Sequence, residues 1–222
     1  MDVFDLIGPV MVGPSSSHTA GVVRIGNVAY RMLGGEPEEA DVWFSGSFAA
    51  TWRGHGSDKA IVAGMLGMGT DDERIRDSIR LAQVRSIPVR IHTEELPDAH
   101  PNTVRIRARR GPVSAELTGE SVGGGNIRIT ELSGIRVSFD GKYHTLIIRH
   151  RDSPGAVAGV TGALARHGVN IAAMNVYRAA RGGEAIMVIE ADQPISEELS
   201  AEISNQQAVA AATVLPSLFE RG

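Results

Sequence analysis

The last third of the chain alternates strand-like and helix-like segments in an order that few folds can accommodate. These segments are strand, helix, strand, strand, helix and strand, over 145–150, 155–167, 169–177, 185–190, 196–205 and 209–215. Gly168 ends the first helix, Gly182-Gly183 suits a hairpin turn, and Ser196 with the following glutamates begins the second helix. The βαββαβ order predicts a split βαβ domain.

Helical spacing of apolar residues dominates the chain before residue 85. The predicted helices cover 22–33, 48–53, a segment starting at Ser57 and ending near Leu66, and a segment from Thr70 to about Val84. Ser17 or Thr19 is the predicted N-cap of the first helix, Ser57 caps the third, and Thr70 opens a capping box for the fourth. Gly54-His55-Gly56 is expected to break the second helix.

From Pro88 the pattern changes to alternation of apolar and polar residues, which is typical of strands. The predicted strands here are 89–92, 104–108, 113–117, 127–132 and 135–139, and a further short strand is predicted earlier, at 41–45. The fold class is therefore α+β, with helices and a mostly antiparallel sheet in a first domain, residues 1–142, and the βαββαβ domain in residues 143–222.

Charge and composition exclude several classes of function. A formal net charge of -4 and a pI near 6.0 argue against a surface for duplex nucleic acid. No apolar run approaches the roughly 20 residues that span a bilayer, and Asp2 and Asp5 lie where a signal peptide carries Lys or Arg. We expect a cytoplasmic chain that binds neither nucleic acid nor membrane.

The chain contains no cysteine. This excludes disulfides, thiol catalysis and thiolate ligands for an iron–sulfur cluster. No metal ligand is predicted on this chain, and a cluster of that kind would have to belong to a partner.

The run Gly13-Pro14-Ser15-Ser16-Ser17-His18-Thr19 crowds hydroxyls and an imidazole onto one turn before a helix. Backbone N–H groups and hydroxyls at such a position bind carboxylates and phosphates. The alternative is an elaborate helix cap. Because one serine is enough for a cap and buried polar groups are costly when unused, we favour a ligand site.

A second polar cluster follows at Ser45-Gly46-Ser47 and Gly54-His55-Gly56-Ser57-Asp58. His55 lies between glycines, where a substrate can approach the ring closely, and an imidazole titrates near working pH, which suits a general base. An exposed loop histidine is an equally good interpretation. His100-Pro101-Asn102, taken alone, is typical of a surface turn.

In the second domain, Asp152-Ser153-Pro154-Gly155 joins a strand to the start of a helix. Such a junction can bind the carboxylate of a small acid or amino acid, with Asp152 available for an ammonium group. A plain capped junction is at least as good an interpretation.

These clusters together resemble the β-subunit family of bacterial iron–sulfur-dependent L-serine dehydratases, also called L-serine ammonia-lyases. The resemblance covers essentially the whole chain, including Gly123-Gly124-Gly125 and Gly168-Val169-Asn170-Ile171. It implies an N-terminal domain similar to the allosteric-substrate-binding domain of some phosphoglycerate dehydrogenases, and a C-terminal ACT domain.

The resemblance implies deamination of L-serine to pyruvate and ammonia, with a [4Fe-4S] cluster carried by a partner α subunit. It makes His55 the candidate base. Substrate groups would be held by Ser15, Ser16, Ser17, His18, Thr19, Ser45, Ser47, His100 and Asn102. In the ACT domain it implies self-association and an effector site at Asp152, Ser153, Pro154, Gly155 and Asn170. The alternatives are a purely regulatory module that senses L-serine and an unrelated ligand-binding or scaffold protein.

Overall fold

The computed structural model describes residues 11–13, 15–96 and 98–219. The chain forms two compact units, Met1–Gly134 and Ile135–Gly222. None of the helices in the described part of the chain combines the length and apolar character needed to cross a membrane.

The described helices of the first unit begin with a widened turn of π-helical type. The elements are this turn (Ser17–Gly21), α1 (Val22–Leu33), α2 (Ser47–His55), α3 (Ser57–Met65), a 3₁₀ turn (Glu73–Asp77) and α4 (Ser78–Val84). The predicted helices are therefore present, and α2 extends through His55, with Gly56 at a φ of 71° ending it.

The prediction that Ser17 or Thr19 caps the first helix is wrong. Ser16 already has helical backbone angles, φ -60° and ψ -38°, and makes no capping bond through its side chain. The Ser15 carbonyl accepts a hydrogen bond from Thr19 N at 2.8 Å, and the Ser16 carbonyl accepts one from Gly21 N at 3.0 Å. Ser17 and Thr19 lie inside the helical turn, where no N-cap is needed.

Two further caps differ from prediction for local reasons. Ser57 is the first residue of α3, and the left-handed Gly56 occupies the capping position before it. The segment after Thr70 begins with the 3₁₀ turn, where the Asp72 side chain accepts a hydrogen bond from Arg74 N at 2.9 Å. A carboxylate two residues before its donor caps this turn in place of Thr70.

The sheet of the first unit is mixed but mostly antiparallel, as predicted. Its strands are β1 (Glu39–Phe44), β2 (Val89–Thr93), β3 (Thr103–Arg110), β4 (Val113–Gly123) and β5 (Asn126–Leu132), in the order β2-β1-β3-β4-β5. β1 pairs with β2 in parallel, and the other pairs are antiparallel. The register between β4 and β5 shifts between Ser121 and Gly123, next to the glycine run.

Two glycines allow α1 and α3 to pack backbone against backbone. A Cβ added at Gly64 would lie 2.2 Å from the Val23 carbonyl oxygen, and one added at Gly26 would lie 2.8 Å from the Ile61 carbonyl oxygen. The neighbouring residues Ile25, Ala63 and Met65 are almost completely buried, so this contact is part of the core.

The second unit confirms the βαββαβ prediction. Its elements are β6 (Ile135–Phe139), β7 (His144–Arg151), α5 (Ala156–Arg166), β8 (Ile171–Arg178), β9 (Glu184–Ala191), α6 (Glu197–Ser204) and β10 (Val209–Leu215). The last four strands form an antiparallel sheet in the order β10-β7-β9-β8. Alternate residues of β7, such as Leu146 and Ile148, form one core with Val160 and Leu164 of α5. Ser196 caps α6 by accepting a hydrogen bond from Leu199 N at 3.2 Å.

β6 belongs with the second unit because it contacts β8 and β9. The Tyr177 hydroxyl donates to the Ser138 carbonyl and accepts from Ser138 N, both at 3.2 Å. The division between the compact units therefore falls at 134/135, before this strand, whereas the boundary drawn from the sequence at 142/143 falls after it.

Candidate functional site

The polar turn before α1 is wider than an ordinary α-helical turn. Its hydrogen bond from Gly21 N to the Ser16 carbonyl spans five residues, which is the π-helical spacing. Turns of this kind are frequent at functional sites because they move side chains out of the regular helical positions. Here the turn presents the half-buried residues Ser15 to His18 toward α2.

His18 lies at the centre of this arrangement. Its Nδ1 is 3.3 Å from Ser15 Oγ, and its Nε2 is 3.1 Å from Thr51 Oγ1 of α2. The ring packs edge-on against the fully buried Phe48, with the ring centroids 4.9 Å apart. A buried aromatic floor and two polar partners hold the imidazole in one place.

His55 lies beside His18 and completes a histidine pair. The two ring centroids are 4.6 Å apart and the planes are inclined by 31°. His55 Nδ1 is 3.3 Å from the Thr51 carbonyl oxygen. Since a carbonyl can only accept, Nδ1 carries the hydrogen and Nε2 is the nitrogen with the lone pair.

Space around His55 permits a molecule to reach the ring. A Cβ added at Gly54 or Gly56 would meet no heavy atom within 4 Å, and His55 itself is exposed. The sequence predicted that the flanking glycines would leave room for a substrate to approach the ring. The candidate base is accessible in the structure.

Burial and the neighbouring ring of His55, in that order, lower the pKa of His18. His18 is therefore neutral at pH 7, because the ordinary pKa of histidine is about 6.5. The folded pKa lies below the unfolded one, so the unfolded chain binds the proton more tightly. Protonation of His18 thus destabilises the fold as the pH falls below about 6.5.

Replacing His55 with alanine is expected to raise the pKa of His18, since one of the two causes of the shift is removed. The pKa should remain below 6.5, because burial, the larger cause, persists. Ring-proton chemical shifts of His18 followed against pH by NMR measure this. His167→Ala, in the other unit, is the control, and an unchanged His18 pKa in His55→Ala would contradict the expected coupling.

The predicted residues at 45, 47, 100 and 102 surround the start of α2. The Pro101 carbonyl accepts hydrogen bonds from Ser47 N at 2.7 Å and Phe48 N at 3.4 Å, so this loop caps α2. His100 Nδ1 accepts a bond from Asn102 N at 3.1 Å. The 100–102 segment is a helix cap as well as a turn, and it holds the helix that carries His55.

Two of the predicted substrate ligands are buried. Ser45 is 3% exposed and its hydroxyl accepts a hydrogen bond from Leu96 N at 3.2 Å. Thr19 is 2% exposed, and its Oγ1 has no hydrogen-bond partner among the described residues. Both hydroxyls are therefore shielded from solvent.

Two more buried polar atoms in the same part of the chain lack a partner among the described residues. These are Ser57 Oγ and Asp58 Oδ1, in the first turn of α3 directly after the His55 loop. Buried polar groups are normally satisfied, and an unsatisfied one costs about 1–3 kcal/mol. Ordered water molecules or ions commonly satisfy such atoms in proteins.

Two residues of the site, Thr51 and Ser121, were not predicted from the sequence. Thr51 contacts both histidines, yet it belongs to no motif. Ser121 is fully buried, and its hydroxyl donates to the Ser17 carbonyl at 2.9 Å while its backbone N donates to the Asn102 carbonyl at 3.0 Å. Alternation along β4 from Leu117 would have placed Ser121 on the inner face, had the strand been predicted beyond that residue.

The residues predicted to bind an effector lie in the second unit, and the side chains of Asp152, Ser153 and Asn170 make hydrogen bonds there. Asp152 accepts hydrogen bonds from Arg178 Nη1 at 2.8 Å and Gly182 N at 2.9 Å, and these contacts lower its pKa. Asn170 Nδ2 donates to Asp192. Gly155, with φ 88°, precedes α5, and a Cβ there would meet no heavy atom within 4 Å. Ser153 and Pro154 lie in the exposed or half-buried turn before it.

The chain offers no ligand set for the iron–sulfur cluster that the resemblance implies. Clusters of this type are held mainly by cysteine thiolates, and the sequence contains no cysteine. Within residues 11–13, 15–96 and 98–219, no group of three or more histidine and acidic side chains is placed to hold a metal ion. The residues present therefore do not fit the cluster.

Two family models match the chain, one in each unit. Residues 2–86 match the model described as serine dehydratase beta chain, and residues 144–206 match the ACT domain. The first range contains the histidine pair and Thr51.

Curated relatives extend the similarity over nearly the whole chain. The probable L-serine dehydratase β chain of Bacillus subtilis (strain 168) is 46% identical over 202 residues, 91% of this chain and 92% of that protein. The L-serine dehydratase β chain of Peptoniphilus asaccharolyticus is 36% identical over 90% of this chain and 91% of that protein. The L-serine dehydratase of Mycobacterium tuberculosis (strain CDC 1551 / Oshkosh) is 36% identical over 60% of this chain but only 34% of its own length. The chain therefore belongs to the family of L-serine dehydratase β chains.

Proposed function

We propose that this chain deaminates L-serine to pyruvate and ammonia as one subunit of an L-serine ammonia-lyase, together with an α subunit, and that it is inactive alone. The observation that carries this proposal is the histidine pair, with ring centroids 4.6 Å apart, on an accessible surface within the range matched by the dehydratase β-chain model. A site of this composition is suited to moving protons, because a neutral imidazole has one nitrogen that can accept a proton and one that can donate a hydrogen.

The reaction requires removal of the Cα proton of L-serine and loss of its β-hydroxyl as water. The resulting aminoacrylate tautomerises to an imine, and one water hydrolyses the imine to pyruvate and ammonia. His55 Nε2, which carries the lone pair, accepts the Cα proton. The hydroxyls of Ser15, Ser16 and Ser17, with His18, bind polar groups of the substrate from the neighbouring turn.

The other predicted substrate ligands differ in how far they are buried. Ser47, His100 and Asn102, at the start of α2, contribute polar groups at the edge of the site. Thr19 and Ser45 are buried, so we assign them to its supporting wall.

The α subunit supplies what this chain lacks. The mycobacterial relative is a longer protein in which the matched part makes up 34% of the length, which supports a division of the two-chain form into this chain and a larger partner. We place the [4Fe-4S] cluster on that partner because this chain has no cysteine. When bound, the cluster supplies a Lewis acid for the substrate hydroxyl.

Anaerobic reconstitution tests the proposal. The chain is purified alone, mixed with a cysteine-containing α subunit loaded with iron, and assayed for pyruvate from L-serine. The mixture should form pyruvate and neither subunit should do so alone. Full activity of the α subunit alone would overturn the catalytic role and favour the regulatory alternative.

The ACT domain gives the chain a second, regulatory role through self-association and L-serine binding. Titration of the ¹⁵N-labelled chain with L-serine is expected to shift the amide signals of Ser153 and Gly155, because the open space at Gly155 leaves the start of α5 approachable. The signals around His18 and His55 should shift only when the α subunit is present. An L-serine titration that leaves the signals of residues 152–155 and 170 unchanged would contradict the regulatory role and leave the catalytic one intact.

A further inference from the structure

Thr51 lies one helical turn after Ser47 and one turn before His55. Its hydroxyl donates to the Ser47 carbonyl oxygen at 2.7 Å, a common arrangement for threonine inside a helix. A hydroxyl has one hydrogen, and this contact uses it. Toward His18 Nε2, at 3.1 Å, the Thr51 oxygen can only accept.

The direction of the hydrogen bond between Thr51 Oγ1 and His18 Nε2 determines which nitrogen of His18 carries the hydrogen. If Thr51 Oγ1 accepts, Nε2 donates, and a neutral ring then has its lone pair on Nδ1. Nδ1 is 3.3 Å from Ser15 Oγ, so the Ser15 hydroxyl is the donor in that contact. The lone pair of His18 therefore faces the serine-rich turn.

The main chain of Thr51 favours the other tautomer in His55, the one with the hydrogen on Nδ1. The Thr51 carbonyl accepts from His55 Nδ1 at 3.3 Å, which leaves the His55 lone pair on Nε2. One residue thus contacts both members of the histidine pair, through its side chain on one and its backbone on the other.

We propose that Thr51 is a positioning residue that holds the two imidazoles in opposite tautomers, His18 with its hydrogen on Nε2 and His55 with its hydrogen on Nδ1. The importance of these tautomers for turnover rests on the proposed function. The tautomers themselves do not, and they can be measured on this chain alone.

The test is a long-range ¹H–¹⁵N correlation spectrum of the ring nitrogens in the isolated chain, recorded at a pH where His18 is neutral. The wild type should show His18 predominantly in the Nε2–H form and His55 predominantly in the Nδ1–H form. Thr51→Val, which removes the acceptor with little change in shape, should convert His18 to a mixture. Thr51→Ser keeps a hydroxyl and should restore the wild-type signature.

The two variants carry an internal control, since neither removes the Thr51 carbonyl. The His55 signature should therefore stay the same in all three proteins. His18 in the Nδ1–H form in the wild type would overturn the proposal without any variant. A His18 signature unchanged in a folded Thr51→Val protein would overturn it as well.

Activity separates this inference from the proposed function. In the complex with the α subunit, Thr51→Val should lower kcat about 10-fold with a smaller change in KM, and Thr51→Ser should recover most of the loss, because one hydrogen bond is worth about a factor of ten. The expected tautomers with unaltered kcat in Thr51→Val would support the positioning of His18 and count against its role in turnover.

Discussion

Replacing His55 with alanine is expected to reduce pyruvate formation by the reconstituted enzyme at least about 100-fold, because a positioned general base contributes 10²–10⁴-fold to a rate. The fold should be unaffected. His55 is exposed, ends α2, and leaves Gly56 in place to terminate that helix. Initial rates of pyruvate formation over a range of L-serine concentrations, with thermal unfolding of the chain alongside, measure both effects.

His167→Ala is the matched control for this substitution. His167 Nε2 lies 2.8 Å from Glu202 Oε2, in the ACT domain, and Arg166 also contacts that carboxylate, so the contact is partly retained. This variant should keep the wild-type rate. Full activity of His55→Ala, or an equal loss in both variants, would contradict the assignment of His55 as the base.

The largest effect on stability is expected from Gly64→Ala. The added Cβ would lie 2.2 Å from the Val23 carbonyl oxygen, which is too close for any contact and involves backbone on both sides. α1 and α3 would have to separate, and overpacking of this kind costs about 1–3 kcal/mol or more. The midpoint of thermal unfolding of the first unit should fall by on the order of 10 °C.

Gly54→Ala is the control for that prediction because Gly54 also lies in a helix of the same unit. A Cβ at Gly54 meets no heavy atom within 4 Å, and alanine favours a helix over glycine by up to about 1 kcal/mol. The midpoint should be unchanged or raised. Equal destabilisation by both substitutions would show that glycine is needed for backbone freedom and not for the close approach of α1 and α3.

The elements that were predicted well are those whose signals are local. Val22–Leu33 and the four strands of the ACT domain follow from apolar spacing, and Ser196 caps α6 as its sequence indicates. The predicted caps at Ser17, Thr19 and Thr70 were wrong because other groups accept the hydrogen bonds from the backbone N–H groups of these turns. Main-chain carbonyls serve the turn at Ser17, and the Asp72 carboxylate serves the 3₁₀ turn.

The contact between His18 and His55 could not be predicted from the sequence. His18 and His55 were each singled out, as two separate clusters, but nothing local indicates that their rings pack together. Thr51 was missed because its role depends on a contact with a residue 33 positions earlier in the chain. Ser45 was expected to face the substrate, but it is buried, and its hydroxyl accepts a hydrogen bond from Leu96 N.

The sequence by itself determined the α+β class, the βαββαβ domain and the presence of histidine and serine clusters on a chain without thiolates. Apolar periodicity and residue type are sufficient for these conclusions because they act over a few neighbouring residues. Only the tertiary structure decided which hydroxyls are buried and that α2 brings His55 against His18. These properties depend on hydrogen-bond partners that are distant in sequence, and packing of the helices and the sheet determines where those partners lie.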